Sequence, residues 1–408
     1  MENIRFGSRN FTIRHKYLNY VKKFIDKPLI KVFVGMRRVG KSVIMKLIIN
    51  ELLKGNVPES NILYINKESL EFDNMKNYMD LYNFIKNYFK DLKGQKYIFI
   101  DEIQEIDEWE KAVASLMSEN EGDIYISGSN AKLFSSELAT LLSGRYIEIP
   151  VYPLTFKEFL DFRNKDNDKE DEFQKYLRYG GMPGIHFLPL EDEAVFGYLN
   201  SLINTVLYKD IIGRYRVRDS NTLDRIVKYL FDNIGNITTA KKIADYFKSQ
   251  KVKVSVDTVL KYMDYIESSM ILERVSRYDL KGKKILEFYD KIFLNDIGLR
   301  HGFIGYKERD INGLLENVVY KEMQSRGYNL KVGVLEDTEI DFVAEKQDDK
   351  KYIQVCYSLV SSEVIQREFG NLQKIKDNYE KIVISMDKFF PEERDGIRHK
   401  YILDFLLE

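Results

Sequence analysis

Lys41 and Ser42 end the stretch GMRRVGKS, residues 35–42, in which Gly35 and Gly40 bracket four residues. The spacing is G-x-x-x-x-G-K-S, and each residue type has a chemical reason. Glycines let successive backbone N–H groups converge on phosphate oxygens, and the helix that follows presents its positive end to them. The Lys41 ammonium would reach the β- and γ-phosphates, and the Ser42 hydroxyl would ligate Mg²⁺. Arg37, Arg38, Val39 and Val43 complete the stretch that would surround a nucleotide. A plain strand-turn-helix is the bland alternative. The apolar run Leu29–Val34 before the loop and the helical spacing from Val43 to Leu53 after it favour the phosphate loop.

Two further strand tips carry polar groups suited to the same chemistry. KYIFIDEIQEI (96–106) is an apolar strand that ends in Asp101 and Glu102. Ligands bind at the carboxyl edge of a parallel sheet. There Asp101 would hold Mg²⁺ through water, and Glu102 would orient and deprotonate the attacking water. IYISGSNAKLF (124–134) ends another strand in Ser127, Ser129 and Asn130. A hydroxyl or amide here would hydrogen-bond the γ-phosphate or that water, although SGSN alone is an ordinary turn sequence.

Something must hold these tips together. Short apolar runs at Ile30–Val34, Ile62–Ile65, Tyr97–Ile100, Ile124–Ser127 and Tyr146–Val151 have helical stretches between several of them. That pattern predicts a parallel sheet covered on both faces. From Thr155 to about Asp210 the spacing is helical, broken by the charged run 163–172 and by GGMPG (180–184), a turn. With 408 residues, 31% charged and 44% hydrophobic, the chain is long enough for two or three domains. Its net charge of −1 excludes a global positive field, so any nucleic-acid site must be a local patch. The single cysteine, Cys356, excludes an internal disulfide framework. No signal peptide or membrane span is expected, and the expected location is cytoplasmic.

These motifs resemble the AAA-type branch of P-loop ATPases. The stretch LLSGRYIEIPVYPLTFKEFL (141–160), with GGMP, the IGLR region, LLEN and EIDF, is similar to a prokaryotic AAA-type family. The C-terminal domain of that family has a restriction-endonuclease-like fold. The resemblance implies an AAA-type ATP-binding core over 1–152, a helical lid over 153–209, a winged helix-turn-helix domain over 210–305 and a small α/β restriction-endonuclease-like domain over 306–408. Arg145 in SGRY is the first choice for an arginine contacting the γ-phosphate, with Arg214, Arg216 and Arg218 as rivals. A finger supplied in trans would require an oligomer.

Residues 236–272 predict two short amphipathic helices. Ile243, Ala244 and Phe247 lie on one face of the first; Val259, Leu260, Met263 and Ile266 do so on the second, with Ser255 and Asp257 as caps. Strands at Ile271–Tyr278 and Ile285–Tyr289 follow, joined by DLKGKK. Residues 209–290 hold about 17 Lys and Arg against about 12 acidic residues. Lys251, Lys253, Lys261, Lys281, Lys283 and Lys284 would meet the phosphates of double-stranded DNA. A protein-docking role is the competing reading, and Asp257, Asp264 and Glu267 on the supposed reading helix count against DNA.

From Gly313 the expected order is helix, three strands (Leu330–Val334, Glu339–Ala344, Tyr352–Tyr357), helix Ser362–Lys376, strand Lys381–Ser385 and a final helix. By resemblance, a nuclease-like site would hold Glu316, Asp341 and Gln354, with Cys356 where a lysine belongs. A thiol cannot replace an ammonium, so the site reads as degenerate and cleavage is not expected; Cys356 reads as a buried strand residue. The leading expectation is an Mg²⁺-dependent ATPase whose nucleotide state controls the winged helix and the nuclease-like module. A nucleotide-gated signalling or defence adaptor with little turnover is the second reading, and an ATP-regulated nuclease the third. Expected partners are ATP, DNA through the winged helix, and a protein or a second copy.

Overall fold

The computed structural model describes residues 3–6, 9–131, 142, 144–165, 168–307 and 310–408. Contacts divide the chain into two compact units, residues 1–152 with 268–270, and residues 153–267 with 271–408.

In the first unit, β1 (Asn3–Phe6) and β2 (Arg9–Thr12) form an antiparallel pair and α1 (His15–Val21) follows. Five strands then build one sheet: β3 (Ile30–Val34), β4 (Ile62–Asn66), β5 (Tyr97–Asp101), β6 (Asp123–Gly128) and β7 (Tyr146–Pro150). Their order is β4-β5-β6-β3-β7, and every neighbouring pair is parallel. The expected parallel sheet is present. Residues of β3, β5 and β6 alternate between two buried faces, which is why these runs are mostly apolar rather than apolar at every second position. Ile30, Val32, Val34, Ile98, Ile100, Ile124 and Ile126 pack with Leu81, Ile85 and Phe89 of α3 (Tyr78–Phe89) and with Ala112, Val113 and Leu116 of α4 (Trp109–Ser118). Phe33, Phe99 and Tyr125 fill the opposite face, where Phe99 and Tyr125 stack at 4.4 Å. The helix α2 (Lys41–Lys54) starts directly after the glycine loop.

The second unit opens with α5 (Phe156–Arg163), started by a Thr155–Glu158 capping box, and α6 (Lys169–Tyr179). The GGMPG turn then packs tightly. A Cβ on Gly181 would stand 2.2 Å from the Leu154 carbonyl oxygen, and its N–H donates to Asp296 at 2.6 Å. Asp296 also caps α11 (Ile297–Ile304), so GGMP and the IGLR region meet at one carboxylate. Between them run α7 (Asp192–Thr205), a π-helical turn over Val206–Gly213, α8 (Ser220–Asp232), β8 (Ile237–Thr238), α9 (Ala240–Ser249), α10 (Val256–Ser268), β9 (Leu272–Asp279) and β10 (Lys284–Leu294). Ser255 accepts from the Thr258 N–H and caps α10. Leu260, expected on the buried face of α10, is instead exposed, and Tyr262 takes its place.

After α11 come α12 (Ile311–Ser325), β11 (Asn329–Leu335), β12 (Thr338–Lys346), β13 (Asp349–Val355), α13 (Ser362–Gln373), β14 (Glu380–Ser385), β15 (Glu393–Arg394), β16 (Ile397–Tyr401) and α14 (Ile402–Leu407). The strand at β10 runs five residues beyond its expected end at Tyr289, while β13 stops at Val355 rather than Tyr357. The last two strands were not expected at all. A single nine-stranded sheet unites this unit, in the order β15-β16-β14-β13-β12-β11-β9-β10-β8. The hairpin of β9 and β10 does not stand alone: β9 pairs in parallel with β11, Arg277 opposite Val332. Among the described residues, no helix is long and apolar enough to cross a membrane.

Candidate functional site

The glycine loop lies at the carboxyl edge of the five-stranded sheet. Gly35 is required by space: a Cβ there would lie 2.3 Å from the Val151 carbonyl oxygen. Gly40 is required by conformation, with φ of 103°. The loop is braced from behind by buried Arg14, which donates to the Val39 carbonyl at 3.1 Å and the Tyr152 carbonyl at 2.8 Å.

Asp101 and Glu102 reach the same edge on β5, and Ser127, Ser129 and Asn130 on β6; all five are buried. Asp101 is fixed by the Tyr64 hydroxyl at 2.8 Å and by the Ser127 hydroxyl, which also accepts the Glu102 N–H at 3.1 Å. Glu102 sits at a left-handed φ of 56°, a conformation that non-glycine residues keep where function or packing enforces it. Its carboxylate accepts from the Gln104 amide and from Ser129 at 3.1 Å, and stands 3.5 Å from the Lys41 ammonium. Burial works to raise the Glu102 carboxyl. The charges of Lys41 and Arg37 and these hydrogen bonds outweigh it and hold the group below its ordinary range. Lys41 itself folds back on the Gly35 carbonyl at 2.9 Å and the Met36 carbonyl at 3.1 Å. Ser42 opens α2 beside it.

The structure thus brings Gly35, Arg37, Gly40, Lys41, Ser42, Asp101, Glu102, Ser129 and Asn130 to one edge. It does not bring Arg145 there. The Ile30 N–H donates to the Arg145 carbonyl, so Arg145 enters β7 at the amino edge. A five-residue strand of about 16 Å separates that edge from the loop. Arg145 instead lines a cleft of about 430 Å³ with Asp26, Asn120 and Asp123. The reading of Arg145 as a γ-phosphate contact within one chain is corrected on this ground. Arg214, Arg216 and Arg218 belong to the second unit. Residues 132–134, 141 and 143 of the quoted stretches lie outside the described residues. Sequence reasoning missed Arg14, Tyr64 and Gln104, which carry no spacing signal; Gln104, two residues past Glu102, was the most discoverable.

A second cluster lies in the nine-stranded sheet, and it corrects the expectation of a site without lysine. Buried Lys291 on β10 places its ammonium 2.7 Å from Glu316 of α12, 3.1 Å from Glu339 and 3.3 Å from Asp341 of β12. Burial opposes that charge, but Asp341, Glu316 and Glu339 together hold the lysine pKa above its usual value. Burial and Asp341 push Glu316 up. Gln354 accepts the Asp341 N–H at 2.7 Å and donates to Glu368 at 3.1 Å. Asp341 also accepts the Val355 N–H at 2.9 Å. Cys356 is buried, with its thiol pushed up by burial and nearby carboxylates. The lysines nearest in sequence turn elsewhere, Lys350 to Glu345 and Lys351 to Glu380. A β-bulge between Leu286 and Lys291, with Tyr289 at φ of 78°, sets which residues of β10 point inward. Among the described residues, no three acidic, His or Cys side chains stand preformed to hold a metal ion.

The fold and loop define an AAA-type P-loop domain. Residues 27–160 match the family model described as an AAA domain, and residues 170–310 match one described as a domain of unknown function. The chain is 37% identical over 406 residues to an uncharacterized protein of Haemophilus influenzae, a match covering 98% of this chain and 100% of that protein. It is 31% identical over 364 residues to the uncharacterized protein MJ1544 of Methanocaldococcus jannaschii, covering 85% of this chain and 79% of that protein. The chain belongs to the family these proteins form. Among solved structures, Cdc6p from Pyrobaculum aerophilum aligns with a TM-score of 0.31 at 11% identity, covering 76% of this chain and 94% of that one. A DNA polymerase III gamma subunit-related protein from Thermotoga maritima aligns with a TM-score of 0.31 at 15% identity, covering 62% and 98%. Likeness at that level carries nothing about what this chain does.

Proposed function

We propose that the chain binds ATP with Mg²⁺ and hydrolyses it. The observation that carries this reading is the convergence of Lys41, Asp101 and Glu102 at the carboxyl edge, with Lys41 3.5 Å from Glu102. The Ser42 hydroxyl and the Asp101 carboxylate are hard oxygen donors of the kind Mg²⁺ takes. The ion, when bound, would neutralise charge on the β- and γ-phosphates. Glu102 takes the proton of the attacking water, while Gln104 and Ser129 hold its carboxylate in place. Asp101, fixed by Tyr64 and Ser127, keeps its oxygens toward the loop. Steady-state phosphate release by the full chain tests the reading. Lys41→Ala should remove nucleotide affinity, and Glu102→Gln should keep affinity while losing about 100-fold or more in turnover. Turnover unchanged in both variants would refute it.

Nucleotide state would act on α9, α10 and the attached hairpin, read as a winged helix-turn-helix on DNA. Lys251, Lys253, Lys261, Lys281, Lys283 and Lys284 are all exposed. Two acidic residues that counted against this face, Asp264 and Glu267, are engaged by Arg274 at 2.7 and 2.8 Å. Duplex DNA raising turnover several-fold, and losing that effect with Lys253→Glu/Lys261→Glu, would support it; indifference to DNA would leave a protein as the effector.

Lys291 favours a second reading, phosphodiester cleavage by the domain from residue 306 onward together with β10. Three carboxyl groups crowd one ammonium, and that crowding with burial keeps a proton on Glu316; a divalent cation held by Glu316, Asp341 and Gln354 would take the proton's place. Such a cation would polarise a phosphodiester, and Lys291 would bind the phosphate oxygens. Nicking of supercoiled DNA that Asp341→Asn and Lys291→Met both abolish would establish it. No cleavage with Mg²⁺ or Mn²⁺, with or without ATP, would reject it.

A further inference from the structure

Arg37 is the third residue of the glycine loop, and it is buried to 7% exposure, unusual for an arginine in a surface loop. Its guanidinium bridges two carboxylates from two different strand tips. Glu68, just past β4, lies at 2.9 Å, and Glu105, just past β5, at 3.9 Å. Both carboxylates face solvent, with 46% and 38% of their side chains exposed. Solvent reaches the carboxylate side of each pair and screens it. A phosphate is a better partner, because a guanidinium donates two parallel hydrogen bonds to its oxygens and the charge is fully met. The loop backbone, meanwhile, is pinned by Gly35 against Val151 and by Arg14 on Val39. The Arg37 side chain can therefore change partner while the loop stays in place. Its charge already acts on Glu102, the same carboxylate that Lys41 faces. Arg145 enters β7 at the far edge, and Arg38, beside Arg37 at a positive φ of 66°, is exposed.

We propose that Arg37 is a catalytic residue supplied in cis: in the presence of ATP its guanidinium leaves Glu68 and Glu105 and takes the γ-phosphate oxygens. The inference rests on the ATPase reading. As water attacks, its oxygen forms a bond to the γ-phosphorus, and the bond to the bridging oxygen breaks with its electron pair passing to ADP. The water proton goes to Glu102 and then to solvent. Arg37 gives and takes no proton; it meets charge spread over the equatorial oxygens. Glu68 and Glu105 hold it away from the site when the γ-phosphate is absent. The chain would then carry its own charge-stabilising arginine and turn over without a partner's.

The test uses the full chain and four variants: Arg37→Ala, Arg37→Lys, Glu68→Gln/Glu105→Gln and Lys41→Ala. Phosphate release is measured with titrations of fluorescent ATP and ADP analogues and with trapping of ADP–aluminium fluoride. Arg37→Ala should lower kcat about 100-fold or more, abolish aluminium fluoride trapping and leave ADP affinity within about threefold. Lys, a point charge without the planar fork, should restore little of the loss. The Glu68→Gln/Glu105→Gln variant should match or exceed wild-type turnover. Turnover within about threefold of wild type in Arg37→Ala would overturn the proposal, as would equal loss of ATP and ADP affinity, the mark of a merely structural loop residue. Should Arg37→Ala fail to fold, Arg37→Lys with wild-type rate and trapping would overturn it equally. If wild type binds ATP without turnover, loss of its preference for ATP over ADP in Arg37→Ala supports the proposal and retention overturns it. A wild type that binds nucleotide no better than Lys41→Ala refutes the ATPase reading, a result distinct from the others.

Discussion

Replacing Lys31 with methionine should unfold the first unit more readily at pH 8 than at pH 5. Lys31 on β3 and Asp123 on β6 form an ion pair inside the parallel sheet, with Lys31 at 0% and Asp123 at 4% exposure. Asp123 also accepts from the Tyr125 hydroxyl at 2.7 Å and the Asp26 N–H at 3.0 Å. Burial pulls the Lys31 ammonium down and pushes the Asp123 carboxyl up, in each case against the pull of the partner. Desolvation therefore exceeds attraction, and the pair adds little net stability. Removing the cation alone is another matter, because it leaves a buried carboxylate uncompensated at about 3–5 kcal/mol. Without Lys31 the folded Asp123 pKa climbs further above its unfolded value near 3.8. A group raised on folding contributes stability that is lost as pH rises through the folded pKa, so the deficit is largest at pH 8 and shrinks toward pH 5. Adding Asp123→Asn keeps an acceptor for Tyr125 and removes the charge, and the double variant should lie within about 2 kcal/mol of wild type. Urea unfolding at pH 5 and pH 8, with the Asp123→Asn single variant closing the cycle, gives all four numbers. A Lys31→Met deficit under about 1 kcal/mol at pH 8, or one independent of pH, would refute the reasoning.

Gly35→Ala forces a Cβ to within 2.3 Å of the Val151 carbonyl, so the loop must shift; nucleotide affinity should fall about tenfold or more by fluorescence titration. Asp296 is pushed up to about 6 by burial, against N–H donors from Gly181, Leu299 and Gly298. Stability held by its proton is lost as pH rises from about 3.8 to about 6, so the unfolding free energy of wild type relative to Asp296→Asn should fall by up to about 3 kcal/mol between pH 4 and pH 7. Lys291→Met should cost about 3 kcal/mol or more in urea unfolding, and adding Glu316→Gln should return about 1 kcal/mol or more of it.

The phosphate loop and its flanking strands were legible because apolar runs buried on both faces have few alternative structures, and because Gly35, Gly40, Lys41 and Ser42 are constrained one by one. The edge on which Arg145 falls was legible too, since a residue just before a parallel strand must sit at the amino end, but a motif read letter by letter does not ask that question. Lys291 was hidden for a different reason. Its strand was expected to stop at Tyr289, and a lysine two residues past a strand end reads as solvated. The bulge before it carries no sequence signature, and the carboxylates that meet it come from residues 25, 48 and 50 positions later. The strand β16 was missed because GIRHKY mixes charge with few apolar side chains, and pairing with β14 makes it a strand; β15, two residues long, is a strand through its pairing with β16.

The pairing of β9 with β11 has a practical corollary for anyone dividing the second unit. A fragment ending near residue 305 would remove β11 and strip the Arg277–Asp279 stretch of its neighbour. Bare strand edges recruit other chains, so a winged-helix fragment cut there should self-associate in proportion to its concentration. Its DNA binding would then report on aggregates as much as on lysines. Fragments that retain the strands through Tyr401 keep that edge covered.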